Sequence, residues 1–241
     1  MTSIRRATQV LARTLSLGVL LGAAFQAQAL TVQFGSRAAL AGTDTLTWGQ
    51  LGPDITFGIT SPSAVTTTGL ASATVSNPGG DMIRADEGGL MSGYKGSFAV
   101  GAQLLGTIDN AGPLTISFAN PVARVGAQIQ SLEYGTFTGW LSAYDAGNSL
   151  LGTVSVGGLS GDLQTNTAPF LGIGSSAVNI KSVSFSVTGT PNDYLMINTV
   201  DLSQQVVLAP IPEPQAYVLA LAGMLVLGVA ARRRQGASRK A

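Results

Sequence analysis

The chain has 241 residues, thirteen of them basic and twelve acidic, and contains neither cysteine nor histidine. That composition excludes Ser-His-Asp and Cys-His nucleophilic centres, His-bearing zinc or iron sites and any disulfide framework. Carboxylates, or a Lys or Tyr acting without His, are the catalytic groups left to it.

The first 29 residues read as a secretory signal: Arg5, Arg6 and Arg13 precede an apolar run from Leu15 to Phe25, and Ala27-Gln28-Ala29 has the small-x-small pattern that signal peptidase cuts. The run is short for a membrane span, so cleavage after Ala29 by the general secretory route is expected. Between Leu30 and Pro210 five basic and eleven acidic residues remain, a net charge near −6. The overall +1 therefore averages an acidic body with basic ends, and the body offers no basic patch for nucleic acid.

Residues 30–208 form the passenger body. Gly, Ser and Thr punctuate short apolar runs about every ten residues with no sustained helical period, which predicts an all-β, antiparallel β-sandwich. In the first half "LTVQF", "DTLTWGQL", "DITFGI" and "SATVS" are predicted strands, and the Gly-rich stretch from Asn77 to Gly96 is predicted to be a long loop of the kind that often carries function. In the second half the alternation is clearer. Leu114, Ile116 and Phe118 share one face, as do Val125, Ala127 and Ile129. "FTGWLSAY" sets Trp140 and Tyr144 on one side and Leu141 and Ala143 on the other. "YDAGNSLLGTVSV" reads as a hairpin turning on Asp145, Gly147 and Asn148, with apolar alternation resuming at Leu150, Val154 and Val156. Val183, Phe185 and Val187 form another apolar face. After the turn "TPND", Tyr194, Met196, Val200 and Leu202 are expected to line up.

Two kinds of site residue stand out in the body. Trp48, Trp140 and Tyr94 could stack on sugar rings; Trp140, inside an alternating strand, is expected in the core, and Tyr94 in the Gly-rich loop is the candidate surface contact. Asp81, Asp86 and Glu87 are the one acidic concentration, a candidate carboxylate pair for glycoside hydrolysis or, with flexible oxygen ligands, for calcium. Arg84 lies among them and the spacing is not D-x-D-x-D, so a solvated loop is the plainer expectation. A third reading makes the body a passive subunit whose sheet edges pair with neighbours in an extracellular layer.

The order "ISFANPV" (116–122), "YDAGNSLLG" (144–152), "FLGI" (170–173), "IKSVSFS" (180–186) and "MINTVDL" (196–202) resembles a passenger domain of exported bacterial proteins, jelly-roll sandwiches related to carbohydrate-binding and galactose-binding modules. The resemblance implies a polysaccharide as partner. One departure is Asn198-Thr199, where that family often has Asp-Asn, which puts any metal site there in doubt.

The tail, 209–241, has an apolar run from Ala216 to Ala231, long enough for a minimal transmembrane helix. Pro214 suits the first helical turn and Glu213 the positive end of the helix dipole. Arg232, Arg233 and Arg234 hold the C-terminal side in the cytoplasm, so the body faces outward. A plain single-pass anchor accounts for the apolar run alone. Pro-Glu-Pro directly before the span and arginines directly after it resemble the PEP-CTERM sorting signal of Gram-negative bacteria, in which the membrane protease exosortase processes the tail. Carried over, the recognition motif is Pro212, Glu213 and Pro214, and the stop signal is Arg232 to Arg234. The implied protein is non-enzymatic, passes through the inner membrane and ends at the cell surface or in a biofilm matrix of exopolysaccharide.

Overall fold

The computed structural model describes residues 31–69, 71–89 and 94–205. Ala27, Ala29, Pro212 to Pro214, the span expected over 216–231 and Arg232 to Arg234 lie outside the described residues.

In chain order, β1 (Thr31–Phe34) is followed by a one-turn helix α1 (Arg37–Leu40), then β2 (Asp44–Leu46), a 3-10 turn at Gly49–Leu51, β3 (Thr56–Ile59), β4 (Ser63–Thr66), β5 (Ser72–Ser76), β6 (Met82–Asp86) and β7 (Gln103–Thr107). The longer strands follow: β8 (Leu114–Val122), β9 (Arg124–Ser131), β10 (Gly135–Tyr144), β11 (Leu150–Ser160), β12 (Phe170–Ser175) and β13 (Ile180–Thr188), closed by the short β14 (Leu195–Ile197) and β15 (Val200–Ser203). They make two antiparallel sheets. The six-stranded sheet runs β11-β10-β13-β8-β5-β4; the nine-stranded one runs β1-β12-β9-β14-β7-β6-β3, with β15 joining β9 to β2.

The sheets pack because both obey a period of two with the apolar set turned inward. Val75, Ile116, Leu141 and Phe185 of the six-stranded sheet and Val125, Ile129, Leu171 and Ile197 of the nine-stranded sheet belong to one buried cluster. Each large apolar side chain buried there contributes about 1.5–3 kcal/mol. The expected faces of β8, β9, β10 and β13 are those observed. The expected hairpin joins β10 to β11: Asp145 Oδ1 accepts from Gly147 N and Ser149 N, both at 2.8 Å, and Asn148 takes φ 60°.

The nine-stranded sheet is also buried on its other side. Gly126 and Gly172 face each other across β9 and β12, and a Cβ on either would come within 2.9 Å of Leu40 Cδ1. Two side-chain-free positions thus make the hollow that Leu40 of α1 fills. Ser36 starts that turn, its Oγ accepting from Ala39 N at 3.1 Å. Further along, Ile83, Ala85, Phe98, Leu104, Ala168 and Met196 form a second buried cluster. It lies beneath two segments, 94–102 and 161–169, held together by Gln164 N to Gly96 O (2.8 Å) and Ala168 N to Ser97 O (2.9 Å).

Two expectations change here. The stretch from Asn77 to Gly96 is not all loop: β6 lies within it, pairing with β3 and β7. Its residues Met82 to Ala85 are buried on both faces, so no alternation marks it. The residues Tyr194 to Leu202 do not form one aligned face either. β9 pairs first with β15 and then with β14, and the break between these strands is bridged by Asn198. Asn198 N donates to Gln128 O at 3.2 Å, Asn198 Oδ1 accepts from Gln128 N at 3.0 Å, and Asn198 Nδ2 donates to Gln128 Oε1 at 2.6 Å.

Candidate functional site

The outer face of the six-stranded sheet carries the side chains that the inward apolar set leaves over. Across strands, Thr153, Ser142, Ser184, Thr115 and Ser76 form one row of directly opposed residues. Tyr144, Ser182, Ser117 and Thr74 form the next. Neighbours in a row stand about 4.8 Å apart and successive rows about 6.8 Å apart, so the hydroxyls make a regular lattice. The six strands hold one charged residue, Lys181, whose Nζ is turned to Ala119 O at 2.7 Å.

Trp140 stands in this face, 37% exposed, between Ser155 and Ser186. Its Nε1 donates to Thr188 Oγ1 at 3.0 Å, which fixes the indole against β13. Tyr144, half-buried, follows four residues later on the same side, about 13 Å along the strand. The expectation that Trp140 packs in the core is thus overturned: Phe137, Leu141 and Ala143 take the inward positions of β10, and alternation sends Trp140 out. Uncharged hydroxyls can donate and accept in every direction, and aromatic faces offer flat apolar area. Such a surface suits a neutral, polyhydroxylated ligand.

The other sequence candidates are placed differently. Trp48 is fully buried, and its Nε1 donates to Asn198 O at 3.0 Å. Tyr94 is half-buried and does not lie on the open surface. It packs against the second cluster with its hydroxyl inward, and burial foremost, then the charge of Glu87 and Tyr134, pushes that hydroxyl's pKa up. Glu87 is fully buried under the same segments; its Oε1 accepts from Gly96 N at 2.7 Å, and burial raises its carboxyl above the ordinary value against the lowering effect of that bond.

Asp86 belongs to the opposite side of the strand, ion-paired to the buried Arg84 at 2.7 Å. Asp81 is exposed ahead of β6. The three carboxylates are therefore not gathered into one site, and among the described residues no group of three or more acidic side chains is placed to hold a metal ion. Asn198 has its side chain committed to Gln128, while Arg37 on α1 pairs with the buried Asp201 at 2.8 Å and stacks 5.9 Å over Phe170. These are links that fasten β15 and α1 to the sheet.

No known protein family matches the sequence, and no curated protein matches it. Among solved structures, the chain is similar to a DUF4465 family protein from Bacteroides caccae at 10% identity and a TM-score of 0.40, over 67% of this chain and 100% of that one. It is similar to a glycoside hydrolase family 43 arabinoxylan arabinofuranohydrolase from Bacillus subtilis at 16% identity and a TM-score of 0.34, over 54% of this chain and 27% of that one. A third is CsCBM6-3 from Clostridium stercorarium, solved with cellobiose, at 18% identity and a TM-score of 0.27, over 44% and 76% of the two chains. Likeness of this size says nothing about ligand or activity.

Proposed function

We propose that this chain is an exported, non-enzymatic protein of the cell surface or extracellular matrix that holds neutral polysaccharide against the outer face of its six-stranded sheet. The body is read as a jelly-roll of the carbohydrate-contacting kind. One observation carries the proposal: a lattice of Ser and Thr hydroxyls with Trp140 exposed in it and a single charge, Lys181, on its six strands. A face meant only for solvent in an acidic protein would carry charge. Supporting the location are Ala27 and Ala29 for signal peptidase and Pro212, Glu213 and Pro214 for an exosortase, with Arg232 to Arg234 as the stop signal. The inner membrane is then a stage of export.

The test is co-sedimentation of the full chain with exopolysaccharide from its own cells, and with a neutral and an anionic polysaccharide of known composition. The neutral material should carry the protein down, and Trp140→Ala should weaken this roughly 5- to 30-fold, the effect of losing one aromatic anchor. Equal retention of Trp140→Ala, or retention by the anionic polysaccharide alone, would refute the proposal.

A further inference from the structure

Where the chain crosses from the six-stranded sheet to the nine-stranded one, the sandwich has an opening. The ladder between β8 and β13 is regular up to the pair Ser117 and Ser182 and resumes at Val122 and Ile180, so the extra residues of β8, Ala119 to Pro121, bulge out of it. Ala123 N then donates to Ser203 O of β15 at 2.8 Å. Between the starts of β2 and β5 and the ends of β8 and β15 lies a cavity of about 130 Å³, open on one side. Phe118, Val122 and Leu202, each 6% exposed or less, give it apolar walls, and the exposed Asn120 and Gln204 add amides at its rim.

Among the described residues that line it, Asp44 is the one that carries a charge. Asp44 Oδ1 accepts from Thr45 N at 2.8 Å, from Thr68 Oγ1 at 2.8 Å and from Gly69 N at 2.7 Å. Three donors on one oxygen fix the carboxylate in place. Burial works to raise its pKa, but these bonds, with one from Thr67, hold the carboxyl below its ordinary value. It is therefore ionised at neutral pH and can only accept, and with Oδ1 filled its spare acceptor capacity is on Oδ2.

We propose that this cavity takes one terminal sugar unit, a neutral pyranose at a chain end or on a side branch. The proposal rests on the polysaccharide reading and adds a second contact, on different residues, that selects for ends. Size is the first argument. An apolar cavity of about 150 Å³ holds a benzene ring, so this one, open on one side, has room for one six-membered ring whose substituents reach outward. A chain passing straight through would need two openings. Chemistry is the second argument. A pyranose offers hydroxyl donors to the Asp44 carboxylate, hydroxyls of either sense to the two amides, and a face of C–H groups to Phe118. No Lys or Arg is among the described lining residues, so Asp44 turns anions away, and its existing bonds satisfy its charge without a cation.

Saturation-transfer NMR on the full chain tests this with millimolar glucose, galactose, mannose and xylose and with the neutral sugars hydrolysed from the exopolysaccharide of its own cells. At least one neutral sugar should receive saturation on its ring protons, and glucuronate should receive none. Asp44→Asn keeps an acceptor for the three donors now on Oδ1 and puts a donor in place of the second oxygen, so it should weaken binding roughly 10-fold. Ser72→Leu, at an exposed position on the cavity wall, should fill the space and abolish the transfer with an unchanged melting temperature. Absence of transfer to every neutral sugar, transfer undiminished in Ser72→Leu, or tighter binding of glucosamine through its ammonium group overturns the inference. The outer face fails or stands separately: co-sedimentation that depends on Trp140 without any monosaccharide uptake sinks the cavity alone, and uptake that Ser72→Leu abolishes without co-sedimentation sinks the face alone.

Discussion

Replacing Asn198 by Asp tests how the last two strands are fastened. Asn198 is 6% exposed and answers Gln128 on both its backbone and its side chain. Aspartate keeps the acceptor for Gln128 N but loses the donor to Gln128 Oε1, leaving two oxygens facing each other where the bond measures 2.6 Å. Rotating the Gln128 amide would relieve that contact and give up its bonds to Asn166 Oδ1 (3.0 Å) and Ala168 O (2.9 Å). At about 1 kcal/mol for each side-chain bond lost, plus the cost of a buried charge that Arg37 Nη2, 3.5 Å away, offsets only in part, the loss is about 2–4 kcal/mol. The introduced carboxyl is favoured in its protonated form, so its folded pKa is raised. The penalty is full at neutral pH, shrinks as pH falls through the folded pKa, and is gone below the unfolded value of about 3.9. Urea titration followed by the emission of Trp48, which bonds the same residue, reads both effects. A loss under about 0.5 kcal/mol at pH 7, or one that does not change with pH, would refute the reasoning.

Changing Pro212, Glu213 and Pro214 together to Ala should leave the protein at full length in the inner membrane, whereas the native chain should lose its tail and leave it; intact mass and cell fractionation decide, and identical behaviour of both would mean a plain anchor. Glu87→Gln should raise stability at neutral pH. The Glu87 carboxyl is raised by burial, so the native protein carries a charge penalty above its folded pKa and recovers stability as pH falls toward the unfolded value of about 4.3, and the variant should lack that recovery in urea melts at several pH values. Millimolar calcium should leave the melting temperature unchanged, because Asp81, Asp86 and Glu87 are held apart; a rise that disappears in the Asp86→Ala/Glu87→Ala chain would contradict this placement.

Where one face of a strand is buried and the other open, the period of two is written into the residues, and β8, β10 and β13 were legible down to the side each residue takes. Trp140 was misread for a separable reason. Bulk and apolarity argue for the core, yet Thr138 and Ser142 on the same side mark that side as solvent-facing, and alternation outranks the hydrophobicity of one residue. β6 was hidden because the segments 94–102 and 161–169 cover its outer side, so that Ile83 and Ala85 are buried as well as Met82. The burial of Gln130 has the same cause: no local pattern announces that a polar residue will be roofed over by chain more than 30 residues away, as Ser97 N meeting Gln130 Oε1 at 2.7 Å requires. The hydroxyl rows need the register of five strands before they exist as rows at all. Sequence supplies their members and the fold supplies their order.

The most direct test of the polysaccharide face uses the two tryptophans. Trp48 is fully buried and Trp140 is 37% exposed, so acrylamide should quench the emission of Trp140 and leave that of Trp48. With the full chain and a neutral polysaccharide at saturating concentration, the quenchable emission should become protected, and it should be missing from the outset in Trp140→Ala. Polysaccharide that binds while Trp140 stays as quenchable as before would contradict the account, because the ligand would then rest somewhere other than the outer face of the six-stranded sheet.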